Sequence, residues 1–193
     1  MRSKKHNISI KRILKLAIPL VTIMVIGTIS LLSFSFRPSW LYNWNGINQQ
    51  LKDSVSTYEG ASLTNGTVGY AAKRPAQYDR RMWIMENAHL EELQKLCKHP
   101  DATIKAIAYE GLVRKSEQKD KVQWVIKSLN DSPTTFNYQM GCEGELITIG
   151  TYLIEQVLFL NEKAPPPVGG RNPYQLSKQE VKDILLAWEK ADR

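Results

Sequence analysis

Cys97 and Cys142 are the only cysteines in the 193-residue chain, and His6, His89 and His99 are the only histidines. An even pair of cysteines can close a disulfide in an oxidising compartment; the alternative is two free thiols of the kind cores often bury. Cys97-x-His99 together with Cys142-Glu143 offers ligand types that suit zinc. Their spacing matches no usual pair of ligand knuckles, so His99 before Pro100 reads more simply as a turn residue. Glu143 and Glu145 flank Gly144. Two carboxylates so close could share acid–base work, but acids at a helix N-terminus also answer the helix dipole. The sequence contains no nucleophile elbow, phosphate-binding loop, zinc-protease helix motif or dinucleotide fingerprint. No catalytic, metal-binding or cofactor-binding residue is therefore assigned, and no cofactor is expected.

Other residues suit contact better than catalysis. Arg80 and Arg81 lie next to Trp83, a grouping that can form a cation–aromatic surface or cap the edge of a helical stack. Asn137-Tyr138-Gln139-Met140-Gly141 is a polar, aromatic stretch between expected helices. It reads as a loop that contacts a partner or plugs helix ends. Arg80, Arg81, Trp83, Tyr109 and Tyr138 are the residues expected to form a protein-binding surface, and Cys97 and Cys142 the possible disulfide.

The net charge of +7 belongs to one end of the chain. Arg2, Lys4, Lys5, Lys11, Arg12, Lys15 and Arg37 precede the first acid. Setting those seven aside from 26 Lys and Arg leaves 19, against 19 Asp and Glu, so residues 38–193 are formally neutral. A nucleic-acid binder needs its cations clustered on the folded surface, and a nucleic-acid partner is not expected.

Leu16 to Phe36 carries no formal charge. As a continuous helix it would reach roughly 30 Å, the thickness of a hydrocarbon core. Six cations precede it, and Trp40, Tyr42 and Trp44 follow it like an interfacial belt. The expected layout is a basic cytoplasmic tail over 1–15, a transmembrane helix over 16–36, a juxtamembrane helix and loop over 37–77, and a helical domain over 78–193. That places the chain in the inner or plasma membrane, single-pass, with its C-terminal domain in the periplasm. Cleavage as a signal peptide is the competing reading, although Ser33-Phe34-Ser35 is a poor cleavage site.

Beyond residue 44 the periodicity is helical. Ile47, Leu51, Val55 and Tyr58 line one face, with Gly60 as a stop. Residues 60–76 read as a loop, Asn65-Gly66 being a possible hairpin turn. Leu90, Leu93, Leu96 and Cys97 form a stripe that His99-Pro100 ends, and Asp101 can cap the next helix. That helix carries Ile104, Ile107, Ala108, Gly111 and Leu112 inward, and Ala108 and Gly111 admit a close neighbour. Asp120 can cap a helix bearing Val122, Val125, Ile126 and Leu129. Glu145 to Leu160 is apolar nearly all round and reads as a central buried helix. Residues 164–173 are a Pro/Gly linker, and Ser177-x-x-Glu180 is a capping box before Val181, Ile184, Leu185 and Trp188.

The stretch Glu92 to Leu112 resembles a HEAT-type repeat: a helix, a Pro-Asp turn, then a second helix starting Ile104-Lys105-Ala106-Ile107-Ala108. A second, shorter echo ends at Leu129-Asn130-Asp131-Ser132, and the resemblance covers about residues 78–160. It implies an all-α architecture, a small α-solenoid behind a transmembrane helix, used to bind protein. The function expected is a membrane-anchored adaptor or scaffold whose extracytoplasmic domain binds another protein. The alternatives are an inhibitor or immunity-type protein that neutralises a toxin, and a membrane-surface enzyme with a metal held by Cys97, His99, Cys142 and Glu143.

Overall fold

Asn48 opens the first helix of the main unit by accepting the Leu51 N–H on its side-chain oxygen, at 2.8 Å. In the computed structural model, residues 18–29, 42–131, 135–161 and 173–191 are described. The chain divides into two units, Met1–Trp40 and Leu41–Arg193.

The second unit runs α1 (Gln49–Tyr58), β1 (Leu63–Val68), α2 (Ala76–Asn87), α3 (Leu90–Leu96), α4 (Ala102–Lys115) and α5 (Gln118–Asn130). It continues through β2 (Thr135–Gly141) and β3 (Glu143–Thr148) to α6 (Ile149–Tyr152), whose end widens into one π turn (Leu153–Val157), and closes with α7 (Lys178–Ala191). Helix α4 is the centre of the core. Eleven of its residues are buried, Ala102 to Val113 with only Lys105 excepted. It can be that apolar because α2, α3, α5, α6 and β2 all pack on it. Asp101 caps it by accepting the Thr103 and Ile104 N–H groups, as the sequence predicts. Gly111 lies against α3, where an added Cβ would come within 3.0 Å of Leu93. At its other end Lys121 donates to the Ser116 and Val113 carbonyls, satisfying acceptors that a helix terminus leaves open. Ser177 and Glu180 form the expected reciprocal cap of α7.

The expected all-α solenoid is not what the chain forms. The unit is mixed, with a three-stranded sheet in the order β1-β2-β3. β1 runs parallel to β2, Leu63 facing Tyr138, and β2 runs antiparallel to β3, Phe136 facing Ile147. Thr135-Phe136-Asn137-Tyr138-Gln139-Met140 alternates polar and apolar, the period of a half-buried strand. Phe136 and Tyr138 are accordingly buried while Thr135 and Asn137 are exposed. Gly141 takes a φ of +58°, and Cys142 does not follow it into that region. Positive φ at the first of two turn residues alone is the type II′ hairpin pattern, where glycine is favoured.

Four further expectations are corrected. Residues 145–160 do not form one helix: Glu143–Thr148 pairs with β2, and helix begins only at Ile149. Residues 63–68 are a strand in the sheet and not a loop. The cap of α5 is at Glu117, with Asp120 in its first turn. Among the described residues no helix is long and apolar enough to cross a membrane. In the first unit the described helix covers residues 18–29, about 18 Å of rise against the roughly 30 Å required. Thr22 and Thr28 donate back to the Ile18 and Met24 carbonyls. The single-pass placement and the periplasmic assignment fall with the span. The basic tail over 1–15 and nearly all of the 164–173 linker lie outside the described residues.

Candidate functional site

Beneath the sheet, three side chains converge on Glu110 of α4, which is 1% exposed. Arg114, one turn on, donates Nε and Nη2 to Oε1 at 2.9 and 2.6 Å. The Tyr152 hydroxyl donates to Oε2 at 2.6 Å. Arg81 from α2 donates Nη1 to the Tyr152 oxygen at 2.9 Å, and its Nε stands 3.8 Å from Glu110 Oε2. Arg81 lies over the Tyr78 ring, 4.8 Å from its centroid. Tyr152 in turn carries the sheet, with Phe136 and Tyr138 packed at 5.6 and 5.5 Å between ring centroids. Burial pushes the Tyr152 hydroxyl well above its ordinary range and Tyr138 up to about 12. Glu110 accepts on both oxygens and is 1% exposed, so the network is a support and not an open acid–base site.

A second group surrounds His99, which is fully buried. Its Nδ1 accepts the Asp101 N–H at 3.1 Å, which fixes the proton of the neutral ring on Nε2. Nε2 faces Glu59 Oε1 at 3.2 Å, an ion-pair distance without hydrogen-bond alignment. Tyr42 and Trp44 stack edge-on around the ring at 4.6 and 5.6 Å. Burial lowers the His99 pKa, and the nearby Glu59 and Asp101 only partly offset it. His99 thus closes the turn before α4, as its place ahead of Pro100 suggests.

An open feature of the unit is the β2–β3 hairpin. Met140 and Glu143 close a two-residue turn, and the closing pair of such a turn exchanges both backbone hydrogen bonds. Alternation along the ladder then directs the amide groups of Glu143, Glu145 and Ile147 toward β2. Those of Gly144 and Leu146 point to the other side, where β3 is the edge of the sheet. Leu146 is 65% exposed and Met140 42%. A depression of 290 Å³ lies on the outer face, lined by Ser62, Asn137, Gln139, Gly144 and Leu146 among others.

The residues expected to form a contact surface do not share an exposed one; Arg81 and Tyr138 meet at Tyr152 in the interior. Arg81, Tyr109 and Tyr138 are buried. Tyr109 donates to Asp131 at 3.0 Å, Trp83 is half-buried with its carbonyl accepting from Asn87, and Arg80 is half-buried. Cys97 and Cys142 are both free, the first buried and the second exposed at the hairpin turn. Burial pushes the Cys97 thiol up to about 12, so it stays protonated and a poor nucleophile. Among the described residues no group of three or more His, Cys, Asp or Glu side chains could hold a metal. Cys97, His99, Cys142 and Glu143 are therefore not a ligand set. Gly144 and Leu146 escape notice in the sequence because their segment reads as helix. The alternation over 135–140 followed by Gly141 is the signal that points to them. Searches against family models, curated proteins and solved structures find no match for this chain.

Proposed function

We propose that the unit spanning residues 42–191 is a protein-binding module, an adaptor whose contact surface is the β2–β3 hairpin. The observation that carries this reading is the β3 edge, with outward backbone groups at Gly144 and Leu146 and an exposed leucine beside them. Soluble proteins usually blunt such an edge or cover it, because it is a template for another strand. Support comes from the rigidity beneath: the hairpin rests on Tyr152, which is tied to Glu110 and Arg81, so the edge is presented ready-made and little ordering cost is incurred on binding. Inhibition of a toxin would be one form of the same activity.

The test is site-specific photo-crosslinking in the cells of origin, with the reactive residue placed at Leu146 of the full chain. Position 146 should give a discrete protein adduct. The exposed Gln123 on α5 should give none. Absence of any adduct at 146, or equal labelling from 123, contradicts the assignment.

A further inference from the structure

We propose that β3 accepts, by antiparallel strand addition, an extended segment of a partner protein with lysine or arginine at alternate positions and a large apolar or aromatic residue between them. The inference rests on the reading of the unit as a protein-binding module and adds the chemistry of what it binds.

The backbone supplies the first part. Gly144 and Leu146 turn one N–H and one C=O each toward the free side of the sheet, and a strand laid there would satisfy all four groups. Antiparallel pairing is the more stable arrangement per residue.

The side chains supply the second. Glu143 and Glu145 share one face of β3 and are exposed. On the β2 side they stand opposite Met140 and Tyr138, which bring no positive charge. Among the described residues neither has an ion-pair partner. Cationic residues on an added strand would lie directly opposite, about 5 Å away, where opposite charges favour pairing. A second copy of this chain is a poor occupant. A two-fold pairing of β3 centred on Gly144 sets Glu143 against Glu145, and one centred on Glu145 sets that residue against itself.

Gly144 supplies the third. A Cβ there would meet nothing nearer than the Tyr138 carbonyl oxygen at 3.9 Å, and its φ is not in the left-handed region, so neither strain nor crowding requires glycine. What its bare backbone does is open the edge of the outer depression, whose 290 Å³ suit a single large side chain. A residue opposite Gly144 can lean across it into that space, between the Asn137 and Gln139 amides.

The experiment measures fluorescence anisotropy of labelled peptides on the full chain. Three probes are used: one alternating lysine with tyrosine and valine, one with each lysine replaced by glutamate, and the lysine peptide with a central proline. The lysine peptide should bind about tenfold tighter than the glutamate peptide, as two attractive cross-strand pairs replaced by repulsive ones would give. The central proline should weaken it by about the same factor by removing a donor. Gly144→Pro in the chain should do likewise, since that N–H makes no bond to β2. Should that variant lose its circular dichroism signal, the exposed pair Glu143→Lys with Glu145→Lys carries the test and should reverse the peptide preference. Equal binding of lysine and glutamate peptides overturns the charge assignment, and undiminished binding of the proline peptide overturns strand addition. No binding by any of the three overturns both and leaves the carboxylates as guards of a bare edge. If the peptides fail while crosslinks from position 146 persist, the strand inference falls and the binding-module reading stands. If the crosslinks are absent as well, both fall.

Discussion

At the scale of single residues, Glu110 and His99 hold the interior in opposite ways. Glu110 accepts from Arg114 and Tyr152 and faces Arg81, itself only 5% exposed. Removing one partner of a buried ion pair strands the other and costs about 3–5 kcal/mol, while replacing both by apolar groups is often near neutral. Glu110→Met should therefore lower the urea unfolding free energy by about that much, and Glu110→Met with Arg81→Met should lose less than the single change. A double variant worse than the single one would show that the pair itself is net stabilising. His99 contributes through the charge it does not carry. Its folded pKa lies below the usual 6.5 because it is buried, so the unfolded chain binds its proton first as pH falls. Its contribution is full above about pH 6.5 and declines as pH drops toward the folded value. The thermal midpoint should fall as pH drops below about 6.5, and His99→Gln should flatten that slope. Glu92 acts lower down. Burial raises its pKa, but hydrogen bonds from the His89 and Asn48 N–H groups and the Asn48 amide bring the net value below 4.5. Its share is lost only as pH falls under about 4.5.

At the scale of elements, close approach decides which changes are tolerated. Gly150 at the start of α6 packs on Leu129 of α5, and an added Cβ would overlap the Leu129 side chain and sit 3.4 Å from its Cα. Gly150→Ala should destabilise by about 1–3 kcal/mol through overpacking, measured as a shift in the denaturant midpoint. Leu146→Ser on the exposed edge should change stability by less than about 0.5 kcal/mol. The same contrast explains what was legible in the sequence. Asp101, Ser177 with Glu180, and Gly111 were readable because caps and helix-contact glycines act within a turn or two of themselves. The parallel pairing of β1 with β2 joins segments far apart in the chain, and no turn announces it. Residues 145–160 read as one helix because a continuously apolar run fits a buried helix and buried short elements equally well. Arg81, Tyr109 and Tyr138 looked like contact residues by type. The fold spends them inside, each with a hydroxyl or charge satisfied or stacked.

At the scale of the whole unit over residues 41–193, α4 makes a solid centre, the Glu110 network fixes the sheet to it, and among the described residues β3 is paired on one side only. The account stands on that open edge, and residue-resolved amide hydrogen exchange on the full chain measures it directly. The Glu145 and Ile147 amides, bonded to β2, should be protected, and the Gly144 and Leu146 amides should exchange at rates close to those of an open chain until a partner strand is added. Protection of Gly144 and Leu146 equal to that of Glu145 and Ile147 in the free protein would mean that the edge is already covered, and would contradict the account.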